Sequence, residues 1–169
     1  MKNNFKELLR NIKCIMLDVD GVLTNGSLII MPDELHRIMN IRDGFAMKTA
    51  VDAGFHVVII SGGRSESVRS RLEKLGVKDI YLGVDYKIDT MNKYLAEKNL
   101  KPEEVLYMGD DIPDYDVMKH VGVPCCPADA ATDIKNISLY VSHVKGGEGC
   151  VRDVIEQLLR LNGKWPVQS

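Results

Sequence analysis

The apolar run IMLDVDGVLTNG, residues 15–26, ends its first half on two aspartates one residue apart, Asp18 and Asp20. Carboxylates that near repel each other and lose hydration unless something positive sits beside them. Further polar groups follow other apolar runs: Ser61, Gly62 and Gly63, then Lys87, then Gly109, Asp110 and Asp111 with Asp114 just beyond. Each alone has an ordinary explanation, because segments at strand ends are rich in polar residues whatever they do. As a set they fit phosphoryl transfer. Aspartates gathered around a hard divalent cation favour Mg2+, and the lack of cysteine or histidine beside them argues against zinc.

One carboxylate held by such an ion can attack phosphorus and form an aspartyl-phosphate. A second carboxylate two positions on points to the same side of an extended chain. There it can protonate the leaving oxygen and later take a proton from water. Ser61, the amides of Gly62 and Gly63, and Lys87 would hold the phosphoryl oxygens as charge redistributes. Monoester hydrolysis needs acceleration of up to ~10²¹-fold, so a site for it calls on all of these parts.

These residues meet only if the chain delivers them to one edge. Apolar periodicity predicts strands at 14–20, 56–61, 79–83, 105–111, 123–126 and 139–143. Helices are expected over about 43–53, 65–75, 86–98, 114–120, 130–136 and 150–161. Segments 27–31 and 35–41, around a Pro32-Asp33 turn, read as a β-hairpin insertion. Strands alternating with helices imply an α/β, doubly wound, Rossmann-like parallel sheet, whose ligands bind at the carboxyl ends of the strands. No linker or repeat divides the 169 residues, so a single domain with no cap is expected.

Net charge is −2 with basic and acidic side chains interspersed, which gives no footprint for nucleic acid. The longest apolar runs are too short for a membrane span, and the start MKNNFKELLRNIK has a helical rhythm rather than a signal peptide's apolar core. A cytoplasmic protein follows. The four cysteines form no CxxC pair and read as small buried core residues. His36 and His56 read as structural.

The ordered set DVDGVLT (18–24), Ser61, Lys87 and GDDIPD (109–114) resembles the four motifs of the haloacid dehalogenase superfamily. The resemblance implies that Asp18 is the nucleophile and Asp20 the general acid/base. It also implies that Asp18, the Asp20 carbonyl and Asp110 hold Mg2+, with Asp111 and Asp114 steadying metal-bound water and Lys87. NIRDG (40–44), SGGRSESVRSRLEKLGV (61–77), LGVDYK (82–87) and GGEGCVRDV (146–154) are similar to the capless phosphatases of 3-deoxy-D-manno-octulosonate 8-phosphate. That resemblance implies a 2-keto sugar acid phosphate as substrate, a role in making a lipopolysaccharide precursor, and a homotetramer whose subunits share active sites.

Within the same resemblance Arg71 reaches from a neighbouring subunit to the substrate carboxylate, and Arg42, Gly63 and Arg64 adjoin the substrate. Many such enzymes carry arginine directly after Ser-Gly, whereas this chain has Gly63 and then Arg64. Relatives acting on nine-carbon 9-phosphates carry glutamate at that position, so Gly63 tilts the reading to the eight-carbon sugar. Arg64, Arg69 and Arg71 also fit an exposed helix face paired with Glu66 and Glu73. GGEG (146–149) fits either a flexible lead-in or a segment that closes over substrate. Two other classes remain in view: a receiver-type signalling domain, disfavoured because HVVIIS ends in serine, and a non-catalytic oligomerisation module of this fold, disfavoured by the intact motifs.

Overall fold

A computed structural model describes residues 4–167. A short helix α1 (Phe5–Leu9) leads into the strand β1 (Cys14–Leu17), every residue of which is buried. The hairpin follows as β2 (Ile29–Ile30) and β3 (Leu35–His36), then α2 (Ile41–Asp52) and β4 (His56–Ile60). Next come α3 (Glu66–Lys74), β5 (Asp79–Tyr81), α4 (Lys87–Lys98) and β6 (Val105–Met108). The chain ends with α5 (Tyr115–Met118), β7 (Val123–Cys126), α6 (Thr132–Ile137), β8 (Tyr140–Val141) and α7 (Cys150–Leu161).

The main sheet has six strands in the order β5-β4-β1-β6-β7-β8, and each neighbouring pair is parallel. The order runs outward in both directions from β1, which makes the carboxyl end of β1 the switch point where such sheets bind ligands. Alternate residues feed two cores. Ile15, Leu17, Val57, Ile59, Leu106 and Met108 pack with α2, α3 and α7. Cys14, Met16, Val58, Ile60, Val105 and Tyr107 pack with α4, α5 and α6. Burial on both faces is why these strands read as continuous apolar runs.

The structure moves the bounds of several expected elements. The hairpin pairs only Ile29 with His36 and Ile30 with Leu35, because the chain then turns Arg37 inward. The helix expected from 43 begins at Ile41, since the Asn40 carboxamide accepts the Arg42 N–H at 2.8 Å. The strand expected over 105–111 stops at Met108, and Asp110 and Asp111 lie in the loop beyond it. The segments at 114–120 and 139–143 contract to Tyr115–Met118 and Tyr140–Val141. All four cysteines are free and buried. His36 pairs with Asp33, and His56 bonds the Tyr94 hydroxyl. No described helix is long and apolar enough to cross a membrane. The first three residues of the N-terminal helical rhythm lie outside the described residues.

Candidate active site

After β1 the chain makes one wide turn over residues 19–23, closed by the Thr24 N–H on the Val19 carbonyl at 3.1 Å. Gly21 sits there at φ +87°, and a side chain on it would collide with the Asp110 carboxylate. The DVDG sequence thus brings Asp18 and Asp20 to the β1 end and leaves room for the β6 loop beside them. Gly147 donates to the Val22 carbonyl at 3.0 Å, so the GGEG segment packs against the back of this turn.

Lys87, the first residue of α4, is only 4% exposed and bridges Asp18 Oδ2 at 3.0 Å and Asp114 Oδ1 at 2.7 Å. Asp114 accepts in addition from the Tyr107 hydroxyl at 2.7 Å and from the Asp110 N–H at 3.0 Å, which satisfies both of its oxygens. Asp114 is therefore an organiser of the site. Burial alone would lower the Lys87 pKa, but the charges of Asp114 and Asp18 outweigh it and hold the ammonium above its usual range.

The carboxylates of Asp18, Asp110 and Asp114 bring oxygens within 4.8 Å of one another, and among the described residues the Lys87 ammonium is the one cation bonded to them. Burial, and then the charge of Asp114, pushes Asp18 up to about 7 in spite of Lys87. Burial pushes Asp110 up to about 7 as well, reinforced by Asp18, Asp114 and Asp111. Asp110 has no hydrogen-bonding side-chain partner among the described residues. Under-neutralised carboxylates with free oxygens, and no thiolate or imidazole near them, fit a hard dication held by Asp18 and Asp110.

Across the pocket, Ser61 follows β4 and is 2% exposed, with its Oγ accepting the Gly63 N–H at 3.2 Å. Asp20 faces it, its carboxylate gripped by Arg37 through Nε to Oδ1 at 2.7 Å and Nη2 to Oδ2 at 3.0 Å. The pocket of about 450 Å³ is lined by Asp18, Asp20, Ser61, Gly62, Gly63, Lys87, Asp110, Asp111 and Asp114 from the motif set. Gly26, Val84, Asp85 and Pro113 complete its lining.

Three expected residues stand elsewhere. Arg42, Arg64 and Arg71 are exposed and do not line this pocket. Arg64 lies over Gly83, and Arg71 lies against Gly44 of α2. Asp111 lines the pocket but caps its own turn through the Ile112 N–H at 2.8 Å, so Asp114 alone of the pair holds Lys87. Arg69 pairs with Glu66 at 3.7 Å, the surface alternative read for it. Arg37 and Tyr107 escaped the sequence reading. Arg37 hides in the loose alternation LHRIMNI, and Tyr107 looks like ordinary strand core.

A parallel sheet with this acid and lysine constellation at its switch point defines a haloacid dehalogenase-like hydrolase, and the chain belongs to that family, which residues 33–128 match. More particularly, the chain is 38% identical over 156 residues to the 3-deoxy-D-manno-octulosonate 8-phosphate phosphatase of Salmonella typhi, covering 91% of this chain and 82% of that protein. The crystal structure of the same phosphatase from Yersinia pestis superposes with a TM-score of 0.92 at 32% identity, over 95% of this chain and 87% of that one. The enzyme from Moraxella catarrhalis, solved with magnesium, phosphate and 3-deoxy-D-manno-octulosonate, gives 0.90 at 26% identity, over 93% and 91%.

Proposed function

We propose that this protein is a Mg2+-dependent phosphatase that hydrolyses 3-deoxy-D-manno-octulosonate 8-phosphate to the free sugar acid and phosphate, acting in the cytoplasm on a lipopolysaccharide precursor. The observation that carries the reading is the Lys87 ammonium fixed between Asp18 and Asp114 at the mouth of β1. Asp18 and Asp110, with the Asp20 carbonyl, would hold the Mg2+, which supplies charge neutralisation at the phosphoryl oxygens.

The Asp18 carboxylate attacks phosphorus while the bond to the sugar oxygen breaks, and the Asp20 carboxyl gives its proton to that oxygen. Water then attacks the aspartyl-phosphate, Asp20 takes the water's proton, and the Asp18 carboxylate leaves. Ser61 Oγ, the Gly62 N–H and Lys87 hold the phosphoryl oxygens throughout. Comparing kcat/KM across eight- and nine-carbon 2-keto sugar acid phosphates tests the substrate. Preference for the eight-carbon 8-phosphate is expected; preference for a nine-carbon 9-phosphate would replace it, and no Mg2+-dependent turnover would support a non-catalytic module.

The proposed assembly is a homotetramer. Ile30 is 81% and Ile38 71% exposed on the hairpin side, with Leu28, Ile29, Met31 and Leu35 also exposed, more apolar surface than a small hairpin retains in water. Met39 is partly buried and packs against the core, so it does not add to this patch. Packing hairpins against copies of themselves covers the patch, and rotational symmetry brings Arg71 of one subunit to the pocket of another. Mixing Asp18→Asn and Arg71→Ala subunits under exchange should restore part of the activity lost in each. Exchange without recovery would contradict a shared site.

A further inference from the structure

Arg37 stands outside every motif, yet it grips the Asp20 carboxylate of the pocket through two hydrogen bonds. It directly follows β3, its side chain is 4% exposed, and its Nη1 donates to the Leu35 carbonyl at 2.8 Å, which fixes the arm to the hairpin. The hairpin is itself tied down, because Glu34 accepts from the hydroxyls of Ser65 and Ser67 at the start of α3. A fork-to-fork arginine–carboxylate contact fixes direction as well as distance. Asp20 is 34% exposed, and nothing else among the described residues bonds its carboxylate.

The two bonds are unequal. Nε holds Oδ1 at 2.7 Å, whereas Nη2 meets Oδ2 at 3.0 Å. Oδ2 is also the oxygen on the Ser61 side: a Cβ on Gly63 would sit 3.0 Å from Asp20 Oδ2, 3.6 Å from Ser61 Oγ and 2.8 Å from Arg37 Nη2. The missing side chain at position 63 is thus the space in which the guanidinium and the carboxylate meet.

The geometry points to Arg37 as the positioning residue of Asp20: Nε anchors Oδ1 so that Oδ2 is presented to the leaving oxygen beside Ser61. This rests on the reading of Asp20 as the proton carrier. It also couples the hairpin to the chemistry, since the anchor is carried on the hairpin strand. Displacing a catalytic group by about 1 Å costs up to about 100-fold, and general acid catalysis as a whole contributes about 10²–10⁴-fold.

The test follows release of the leaving group in single turnovers with enzyme in excess, which leaves out the later water step common to all esters. It compares alkyl phosphates, whose leaving oxygen must be protonated, with 2,4-dinitrophenyl phosphate, whose leaving group needs no proton. Arg37→Met should slow this release from the sugar phosphate by about 10- to 100-fold with the half-saturating concentration little changed. It should alter release from the dinitrophenyl ester by less than about threefold, and Arg37→Lys should recover part of the loss. In an Asp20→Asn background Arg37→Met should add little, as expected for two residues acting as one unit. Equal losses on both esters, or full additivity with Asp20→Asn, would overturn the role of Arg37. Asp20→Asn lowering both esters alike would instead overturn the reading of Asp20.

Discussion

Asp18 and Asp20 are separated by one residue, yet Asp18 is 10% exposed and braced by an ammonium from α4, while Asp20 is 34% exposed and braced by a guanidinium from the hairpin. The sheet side of the pocket is dry and crowded with charge, which strengthens every electrostatic contact made there. The hairpin side is more open to solvent, and suits a group that must exchange protons with water. One short turn serves both because Gly21, at φ +87°, lets the backbone reverse directly after Asp20. Under the proposed mechanism the comparison separates the work: phosphoryl transfer belongs to the sheet, proton transfer to the hairpin.

The comparison breaks first if Asp18 is dispensable. Asp18→Asn should lower kcat by at least about 10³-fold, since an amide cannot serve as the nucleophile, while the metal-free melting temperature holds or rises as a buried charge is removed. Next, Lys87→Met should abolish most activity and cost about 3 kcal/mol in denaturant unfolding, because it leaves Asp18 and Asp114 buried without their counter-charge. Chelating Mg2+ should stop turnover yet shift the melting temperature only a few degrees, as expected for a site added to a core that stands alone; global unfolding on chelation would make the ion structural. On the hairpin side, Gly63→Ala should reduce kcat by about tenfold, by pushing Arg37 and Asp20 apart, with thermal stability nearly unchanged.

The smallest effect concerns a carboxylate away from the pocket. Asp43 in α2 accepts the Arg152 N–H of α7 at 2.7 Å, but its Oδ2 has no partner. Burial pushes it up from 3.8 to about 6, opposed by the Arg152 N–H and guanidinium, with the Cys150 thiol the other titratable group it acts on. Its native state therefore keeps a proton that the unfolded chain releases. The stability it contributes is present below about pH 4 and is lost as pH rises through about 6. In Mg2+, Asp43→Asn should flatten unfolding free energy between those values by about 2 kcal/mol; an unchanged slope would show Asp43 ionised throughout.

Legibility followed the same divide. Asp18, Ser61, Lys87 and Asp110 were visible because each lies directly beyond a buried strand or opens a helix, where sequence position dictates spatial position. The parallel sheet and the cores on its two faces followed from the same apolar runs. The Arg37 clamp was not visible, because a hairpin of two-residue strands has no strong periodicity and nothing in LHRIMNI says which side chain turns inward. Asn40 as the cap of α2 was overlooked beside the more conspicuous Asp43. Arg42, Arg64 and Arg71 lie on exposed surface outside the pocket of this chain, and sequence position alone does not say what such a side chain meets.

The central claim is that phosphate passes through the Asp18 carboxylate. It is tested most directly by rapid-quench trapping in the Asp20→Asn variant, where loss of the base slows hydrolysis of the intermediate. Borohydride reduction of the quenched protein, followed by peptide mapping, should convert Asp18 alone to homoserine, and only when both substrate and Mg2+ were present. Reduction at another carboxylate, or free phosphate released with no residue ever modified, would contradict the account.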